Sequence, residues 1–317
     1  MPNTTSNRGV YFLANDRVIE LATAFLNSFR HYNPKLRLCL IPYDGQCERL
    51  LALRNRYDFE VYSHHELLVA CDRMSGRFHD QASGHYRKLA AWNGEFDEFV
   101  YIDIDTVVLD AIDFVFPYLA DYEFVTASAR VPGNRHWVWK ESVGQMGYLT
   151  QEEIDYAANT GFIASRNGLL RLVDVQARLE EAIKYKEHME LSCAEQPLLN
   201  YLIITSGMRY TSLYELNACS PGRTLALEAW AGASRIADVV ELNGKFSLFE
   251  KGTRRKISRV LFVHWASSWR PKKFESFIMR LARRLRVIRT VPGVGYFLPW
   301  RSLWRRFYKQ QYNNLET

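Results

Sequence analysis

Two aspartates, Asp103 and Asp105, are the residues whose type and spacing most directly indicate chemistry. They follow the apolar run at residues 99–102 and are separated by one residue. Alternate residues of a strand point the same way, so both carboxylates are expected to reach one point beyond the strand. Such a pair is costly unless a cation or bound water compensates its charge. A divalent metal ion that also holds a diphosphate would do so, because hard cations prefer oxygen ligands.

The elements that position this pair are those of a parallel α/β sheet. Residues 10–14 predict a buried strand, Asn15 or Asp16 is expected to cap the following helix, and residues 36–41 predict a second strand. Strand, helix and strand in this order are typical of a βαβ unit. Ligands of such sheets bind beyond the carboxyl ends of the strands, where the sequence places Asp103 and Asp105.

Other segments complete this prediction. Further strands are expected at residues 59–62, 123–127, 161–165 and 260–264, and helices at residues 169–188 and 194–206. A long loop is expected from residue 130 to residue 150, and loops beside a ligand edge often serve as lids or acceptor sites.

Composition excludes several classes of protein. With 317 residues, 48% of them hydrophobic and 14% aromatic, the chain has enough apolar material for a large core. Its five scattered cysteines lack C-x-x-C spacing, which argues against a disulfide framework or a zinc site and fits a reducing compartment. The first residues have no apolar signal-peptide region, and no run of about 18 uncharged apolar residues predicts a membrane span. A cytoplasmic location is therefore expected.

Five short segments follow one another in a recognisable order. They are His85-Tyr86-Arg87-Lys88-Leu89, Asp103-Ile104-Asp105, Asn159-Thr160-Gly161, Glu195-Gln196-Pro197-Leu198-Leu199-Asn200 and the eight residues from His264 to Pro271. This order resembles that of the GT-A glycosyltransferases, most closely the family-8-like retaining enzymes (the galactosyltransferase and glycogenin group). The sequence departs from the family pattern at Pro197, which replaces its second Asp, at Ser267, which replaces a Gly, and at Arg270, which replaces a Lys.

The resemblance implies a metal-dependent transfer of a sugar from a nucleotide-diphosphate sugar to a glycan or lipid-linked acceptor, with retention of configuration. Asp103, Asp105 and His264 would bind Mn²⁺ or Mg²⁺. The residue types agree, because two carboxylates, an imidazole and diphosphate oxygens suit Mn²⁺ better than a closed zinc site. The ion would act as a Lewis acid for the departing nucleoside diphosphate.

The same resemblance implies a donor site. Arg270 and Lys272 would neutralise the diphosphate, and Arg87 or Lys88 would hold the donor sugar or its phosphates. The remaining implied residues are Ala14 and Asp16 in the nucleoside-contacting segment, Asn159 in the donor site and Gln196 beside the reacting sugar carbon. Gln196, Asp103 and Asp105 are the implied catalytic residues.

Other interpretations of these residues stay open. The aspartates would also suit a solvated strand end, His264 a core histidine, Asn159 a turn and Arg87-Lys88 a solvated surface. The run from Asp103 to Val107 also fits the D-x-D-x-[TV] motif of haloacid-dehalogenase-like phosphatases, in which Asp103 would be the nucleophile. However, that family carries the motif on its first strand and needs a later G-D-x-x-x-D, which this chain lacks. A non-catalytic sugar- or membrane-binding protein is the third alternative.

The C-terminal segment differs in charge from the rest of the chain. From Arg270 onward there are twelve Lys and Arg against two acids, a net charge of +10, whereas residues 1–269 carry −4. We therefore expect a catalytic domain at residues 1–271 and a basic, amphipathic, helical extension at residues 272–317. Arg and Lys opposite Trp and Phe are typical of a helix at an anionic membrane surface, so Trp300, Trp304 and Phe307 are expected to enter its headgroup region. No nucleic-acid-binding motif accompanies the charge. Packing of the apolar stripe on the catalytic domain is the alternative.

Overall fold

A computed structural model describes residues 7–131, 133–219, 224–266, 290–291, 295–298, 303 and 306–308. The chain divides into two compact units, each made of three segments. Unit 1 comprises Met1–Ile19, Lys35–Ile104 and Asp113–Arg223, and unit 2 comprises Glu20–Pro34, Asp105–Ile112 and Thr224–Thr317. Within the described residues no helix is both long enough and apolar enough to cross a bilayer.

Unit 1 contains a seven-stranded sheet of order β3-β2-β1-β4-β7-β6-β8. Its strands are β1 (Arg8–Ala14), β2 (Arg37–Pro42), β3 (Glu60–Val61), β4 (Glu98–Asp103), β6 (Phe124–Thr126), β7 (Phe162–Arg166) and β8 (Tyr210–Ser212). The first four strands are parallel, and β7 runs antiparallel to β4 and β6. The expected α/β class and its mostly parallel sheet are therefore confirmed.

Buried apolar runs form the centre of this sheet. Residues 10–14 of β1 and residues 99–102 of β4 are buried throughout, as expected of parallel strands covered on both faces. The helices of unit 1 are α2 (Glu48–Leu51), α3 (Arg54–Tyr57), α4 (His65–His79), α5 (Gln151–Tyr156), α6 (Leu172–Lys184), α7 (Gln196–Ile204) and α8 (Leu213–Ala218). Apolar residues of α4, α6 and α7 share one core cluster with the sheet. A 3-10 helix at Gly84–Asn93 leads towards β4.

Unit 2 contains a second sheet of order β13-β14-β10-β11-β12-β5, with β9 paired to β12. Its strands are β5 (Thr106–Val108), β9 (Ala226–Trp230), β10 (Ala237–Leu242), β11 (Lys245–Glu250), β12 (Lys256–His264), β13 (Thr290–Val291) and β14 (Gly295–Leu298). Helix α1 (Ile19–Tyr32) belongs to this unit from Glu20 onward. Thr106 of β5 lies opposite His264 of β12, so the strand pairing fixes Asp105 near that histidine.

Some predicted elements differ from those observed. The helix expected at residues 169–188 is shorter (Leu172–Lys184), and a separate 3-10 turn follows at Lys186–His188. The expected loop at residues 130–150 contains two short 3-10 helices, Arg135–Trp137 and Glu141–Met146. The purely helical extension is corrected in part, because β13 and β14 form a hairpin that adds to β10.

The described C-terminal residues pack into unit 2. Leu303 and Phe307 are 0% and 1% exposed and belong to the same core cluster as Ala24 and Val239. Asn27 of α1 donates its side-chain amide to the Phe307 carbonyl at 2.6 Å. The expectation that Phe307 enters a headgroup region is therefore wrong. Trp300, Trp304 and the apolar stripe expected at residues 274–288 lie outside the described residues.

We predict that Phe307→Ala lowers the free energy of unfolding by about 3–5 kcal/mol, because it leaves a cavity in the unit 2 core. Urea denaturation of the full chain followed by circular dichroism measures the change. Val173→Ala is the control, since Val173 is 61% exposed and its truncation should change stability by less than about 0.5 kcal/mol. Equal effects of the two substitutions would show that Phe307 contributes no core packing.

Candidate active site

Asp103 ends strand β4 and is held by unit 1. Its backbone N–H donates to the Gly161 carbonyl at 2.8 Å, which joins the ends of β4 and β7. Its carboxylate accepts a hydrogen bond from the Tyr101 hydroxyl at 2.8 Å and lies 3.3 Å from Lys88 Nζ. The Asp103 side chain keeps 30% of its exposure, so it is both anchored and accessible.

Lys88 is a buried cation between two carboxylates. Its side chain is 2% exposed, and its Nζ lies 2.5 Å from Glu195 Oε1 as well as 3.3 Å from Asp103. It also lies 4.5 Å from the centre of the Tyr101 ring. Burial by itself lowers the pKa of Lys88, but the charges of Asp103 and Glu195 raise it above its usual value. Lys88 is therefore a charged group that fixes both acids, not a solvated surface lysine.

A second set of buried ionisable residues lies in unit 2. His264 Nε2 is 3.3 Å from Asp105 Oδ1, and His264 Nδ1 is 2.8 Å from Glu228 Oε1. The side chains of all three residues are at most 5% exposed. Burial lowers the pKa of His264, whereas the two carboxylates raise it, with a net result well above the usual value. The Asp105 carbonyl accepts from the Trp265 N–H at 2.8 Å, which joins this aspartate to the end of β12.

Asp103, Asp105 and His264 form a group suited to a metal ion. Each offers one ligand atom, and these atoms all lie within 4.8 Å of one another. Two carboxylate oxygens and one imidazole nitrogen leave room for further oxygen ligands, which Mn²⁺ and Mg²⁺ accept from phosphates. The donor set thus fits the expected ion.

Gln196 and Asn159 lie at the start of α7 and near the start of β7. Gln196 Oε1 accepts from the Thr160 N–H at 3.2 Å, and its side-chain amide donates to the Trp137 carbonyl at 3.0 Å. Asn159 Oδ1 accepts from the Gly161 N–H at 2.8 Å, as in an Asx turn. Asn159 therefore shapes the backbone beside Asp103, and its contact with a donor stays a prediction.

The remaining candidates make structural contacts. Ala14 ends β1, and its carbonyl accepts from the Tyr43 N–H at 2.9 Å. Asp16 accepts from the backbone N–H groups of Arg49 and Leu50 at 3.0 and 2.9 Å. Their nucleoside contacts stay predictions.

Arg87 does not share the position of Lys88. Its guanidinium makes two bonds to Asp72, at 2.8 and 2.6 Å, and a third to the Pro42 carbonyl at 2.8 Å. The sequence offered Arg87 or Lys88 as the residue holding the donor. In the structure Lys88 contacts the Asp103 carboxylate, whereas Arg87 pairs with Asp72. Arg270 and Lys272 lie outside the described part of the chain.

Two site residues were missed by sequence reasoning. Glu195 precedes Gln196 in the fourth motif, where the family has its first Asp, so the motif itself contained a signal for it. Glu228 lies in the run from Ala226 to Trp230, which has no β-branched residue and no motif. No signal in the sequence could have found it.

Comparison with solved structures identifies the fold. No protein-family model and no curated protein sequence matches the chain. A crystal structure of the galactosyltransferase LgtC with donor and acceptor sugar analogues matches the chain at a TM-score of 0.52 and 16% identity. The match covers 93% of this chain and 99% of the LgtC chain. An active-site mutant of LgtC gives a TM-score of 0.50 at 14% identity over the same shares of both chains. The bifunctional glycosyltransferase WbbM matches at a TM-score of 0.51 and 13% identity, over 84% of this chain and 47% of the WbbM chain.

These likenesses define the class of fold. The chain has the GT-A fold, in the form found in the galactosyltransferase LgtC. The fold expected from the order of the motifs is thereby confirmed.

We predict that Lys88→Met destabilises the protein by about 3–5 kcal/mol, because it leaves the buried Glu195 carboxylate without its cation. Adding Glu195→Gln should recover part of this loss, since the amide carries no charge. Denaturant unfolding of the single and double variants measures both effects. Lys251→Met is the control, because Lys251 is 42% exposed and its ion pair with Asp238 should contribute less than about 1 kcal/mol. A double variant less stable than Lys88→Met would contradict the assignment.

Proposed function

We propose that this protein is a metal-dependent glycosyltransferase that moves a sugar from a nucleotide-diphosphate sugar to an acceptor hydroxyl. The observation that carries the proposal is the convergence of Asp103, Asp105 and His264 on one point of a GT-A fold. The order of the five motifs along the chain gives independent support.

The chemistry divides between the ion and the side chains. A bound Mn²⁺ or Mg²⁺ would supply Lewis-acid stabilisation of the departing diphosphate. Asp103 and Asp105 supply the carboxylate ligands, and Lys88 holds the Asp103 carboxylate in place. In the reaction the bond from the anomeric carbon to the diphosphate oxygen breaks, a bond to the acceptor oxygen forms, and the acceptor proton is released.

Donor binding is proposed for the residues that the family resemblance marks. Gln196 would lie beside the reacting sugar carbon, and its anchoring to Thr160 and Trp137 would fix its orientation there. Arg270 and Lys272 would neutralise the diphosphate, and Ala14 with Asp16 would border the nucleoside. The shared fold of the two LgtC structures supports this proposal. The order of the motifs favours retention of configuration at the anomeric carbon.

We predict that Asp105→Asn and His264→Gln each weaken Mn²⁺-dependent nucleotide binding by at least about 100-fold, because each removes a metal ligand. Thermal shift with UDP-, GDP- and dTDP-sugars plus Mn²⁺ identifies the donor. Proton NMR of the product formed with that donor then shows the configuration of the anomeric carbon. We expect the same configuration as in the donor. Asp121→Asn is the control, because Asp121 is an exposed aspartate.

Two outcomes would overturn the proposal. Wild-type protein that no nucleotide stabilises in the presence of metal would remove the donor site. Release of phosphate from simple monoesters, without turnover of any nucleotide-sugar, would favour the phosphatase alternative with Asp103 as its nucleophile.

We further propose that the basic C-terminal segment binds an anionic cytoplasmic membrane face and thereby reaches a lipid-linked or membrane-displayed acceptor. The +10 charge of the segment supports this proposal. Because Leu303 and Phe307 are buried in unit 2, truncating the segment would also destabilise that unit. Charge substitutions are therefore the better test.

We predict that replacing Arg280, Arg283, Arg284 and Arg286 by Gln lowers binding to liposomes containing anionic lipid at least tenfold at low salt. The reason is that each basic residue contributes about 1 kcal/mol at such a surface and that salt screens the attraction. Flotation at low and high salt measures it. Four exposed arginines of unit 1 (Arg49, Arg56, Arg73 and Arg77) replaced by Gln are the control. If the wild-type chain does not bind these liposomes at low salt, the membrane proposal is wrong. The proposal of sugar transfer does not depend on this result.

A further inference from the structure

The two ring nitrogens of His264 have different partners in unit 2. Nδ1 lies 2.8 Å from Glu228 Oε1, and Nε2 lies 3.3 Å from Asp105 Oδ1. An ionised carboxylate accepts hydrogen bonds and cannot donate them, so the bond to Glu228 requires a proton on Nδ1. Nε2 faces Asp105 on the side of the proposed metal ligands, so it is the nitrogen that would lose its proton and offer a lone pair when an ion binds.

We propose that Glu228 is a positioning residue for the metal site, which fixes the His264 ring with Nε2 towards Asp105 and sets the affinity for the ion. This inference rests on the proposed function, because it assumes that Asp103, Asp105 and His264 are the ligands. Carboxylates that accept from the second nitrogen of a ligand histidine hold its ring and make it a stronger donor. Glu228 meets that description by chemistry and by distance.

Strand pairing explains why the residue at this place is a glutamate. Strand β9 runs parallel to β12, with Trp230 opposite His264 and Glu228 opposite Phe262. Glu228 therefore starts two residues behind the histidine and has to reach along the strand to meet Nδ1. An aspartate at residue 228 is shorter by one methylene group and would leave its carboxylate short of the ring. The length of the side chain is thus part of the inference.

Burial makes the contact energetically important. The side chains of Glu228 and His264 are each 5% exposed, so water compensates little of the carboxylate charge. A buried carboxylate is stable only with a cation or hydrogen-bond donors beside it. The Nδ1–H group supplies such a donor whether or not an ion is bound at Nε2, so the ring keeps one orientation in both states.

The test measures metal binding by the full chain without any donor. Titration calorimetry with Mn²⁺ should show that Glu228→Gln and Glu228→Asp each bind the ion about 10–100-fold more weakly than wild type. Glu250→Gln is the matched control, since Glu250 lies in the same sheet but is 39% exposed and pairs with Arg255. It should bind Mn²⁺ as wild type does. Circular dichroism establishes that each variant is folded.

A measurement on the wild-type protein covers the case in which the variants do not fold. Histidine-selective ¹⁵N NMR of the Mg²⁺-loaded chain should show the His264 proton on Nδ1 and none on Nε2. A proton on Nε2 instead, or Mn²⁺ affinity unchanged in folded Glu228 variants, would overturn the role of Glu228. If the wild-type chain binds no Mn²⁺ at all, the proposed metal site fails, and the role of Glu228 fails with it.

Discussion

Two carboxylates separated by one residue need positive charge close by, and the rest of the site depends on how this chain provides it. In unit 1 the Asp103 carboxylate shares Lys88 with Glu195, and in unit 2 the Asp105 carboxylate shares His264 with Glu228. Each aspartate is thus paired with a buried nitrogen base that a second acid also holds. This arrangement stabilises the pair before any ligand arrives and leaves the Asp103 side chain partly exposed.

The two bases differ in what they offer to chemistry. The Lys88 ammonium has no lone pair while it is charged, so it serves to hold its two carboxylates. The His264 imidazole, once its Nε2 proton is displaced, has a lone pair and can become a metal ligand. The two aspartates of the motif therefore have different partners. Asp103 lies beside Lys88, a fixed cation, and Asp105 lies beside His264, a residue that can become a metal ligand.

Sequence patterns predicted unit 1 far better than unit 2. Strands β1, β2 and β4 are continuous apolar runs bounded by turns and caps, and such local signals are strong. Strand β9 has no comparable signal. The pairing of β5 and β9 with β12 joins residues that are far apart in the chain, which a local pattern does not record. The candidate site divides in the same way. The motif supplied Asp103, Asp105 and His264, and it contained Glu195, whereas Glu228 depends on a strand register that only the structure reveals.

The segmented make-up of unit 2 has a consequence for biosynthesis. Asp105 and strand β5 leave the ribosome early, whereas β12 and His264 are made about 150 residues later. The hairpin of β13 and β14 and the buried Phe307 follow later still. Contacts between such distant residues form slowly, because a long loop must close before they can contribute. A nascent chain therefore carries Asp103 and Asp105 without their histidine partner until β12 has left the ribosome and paired with β5.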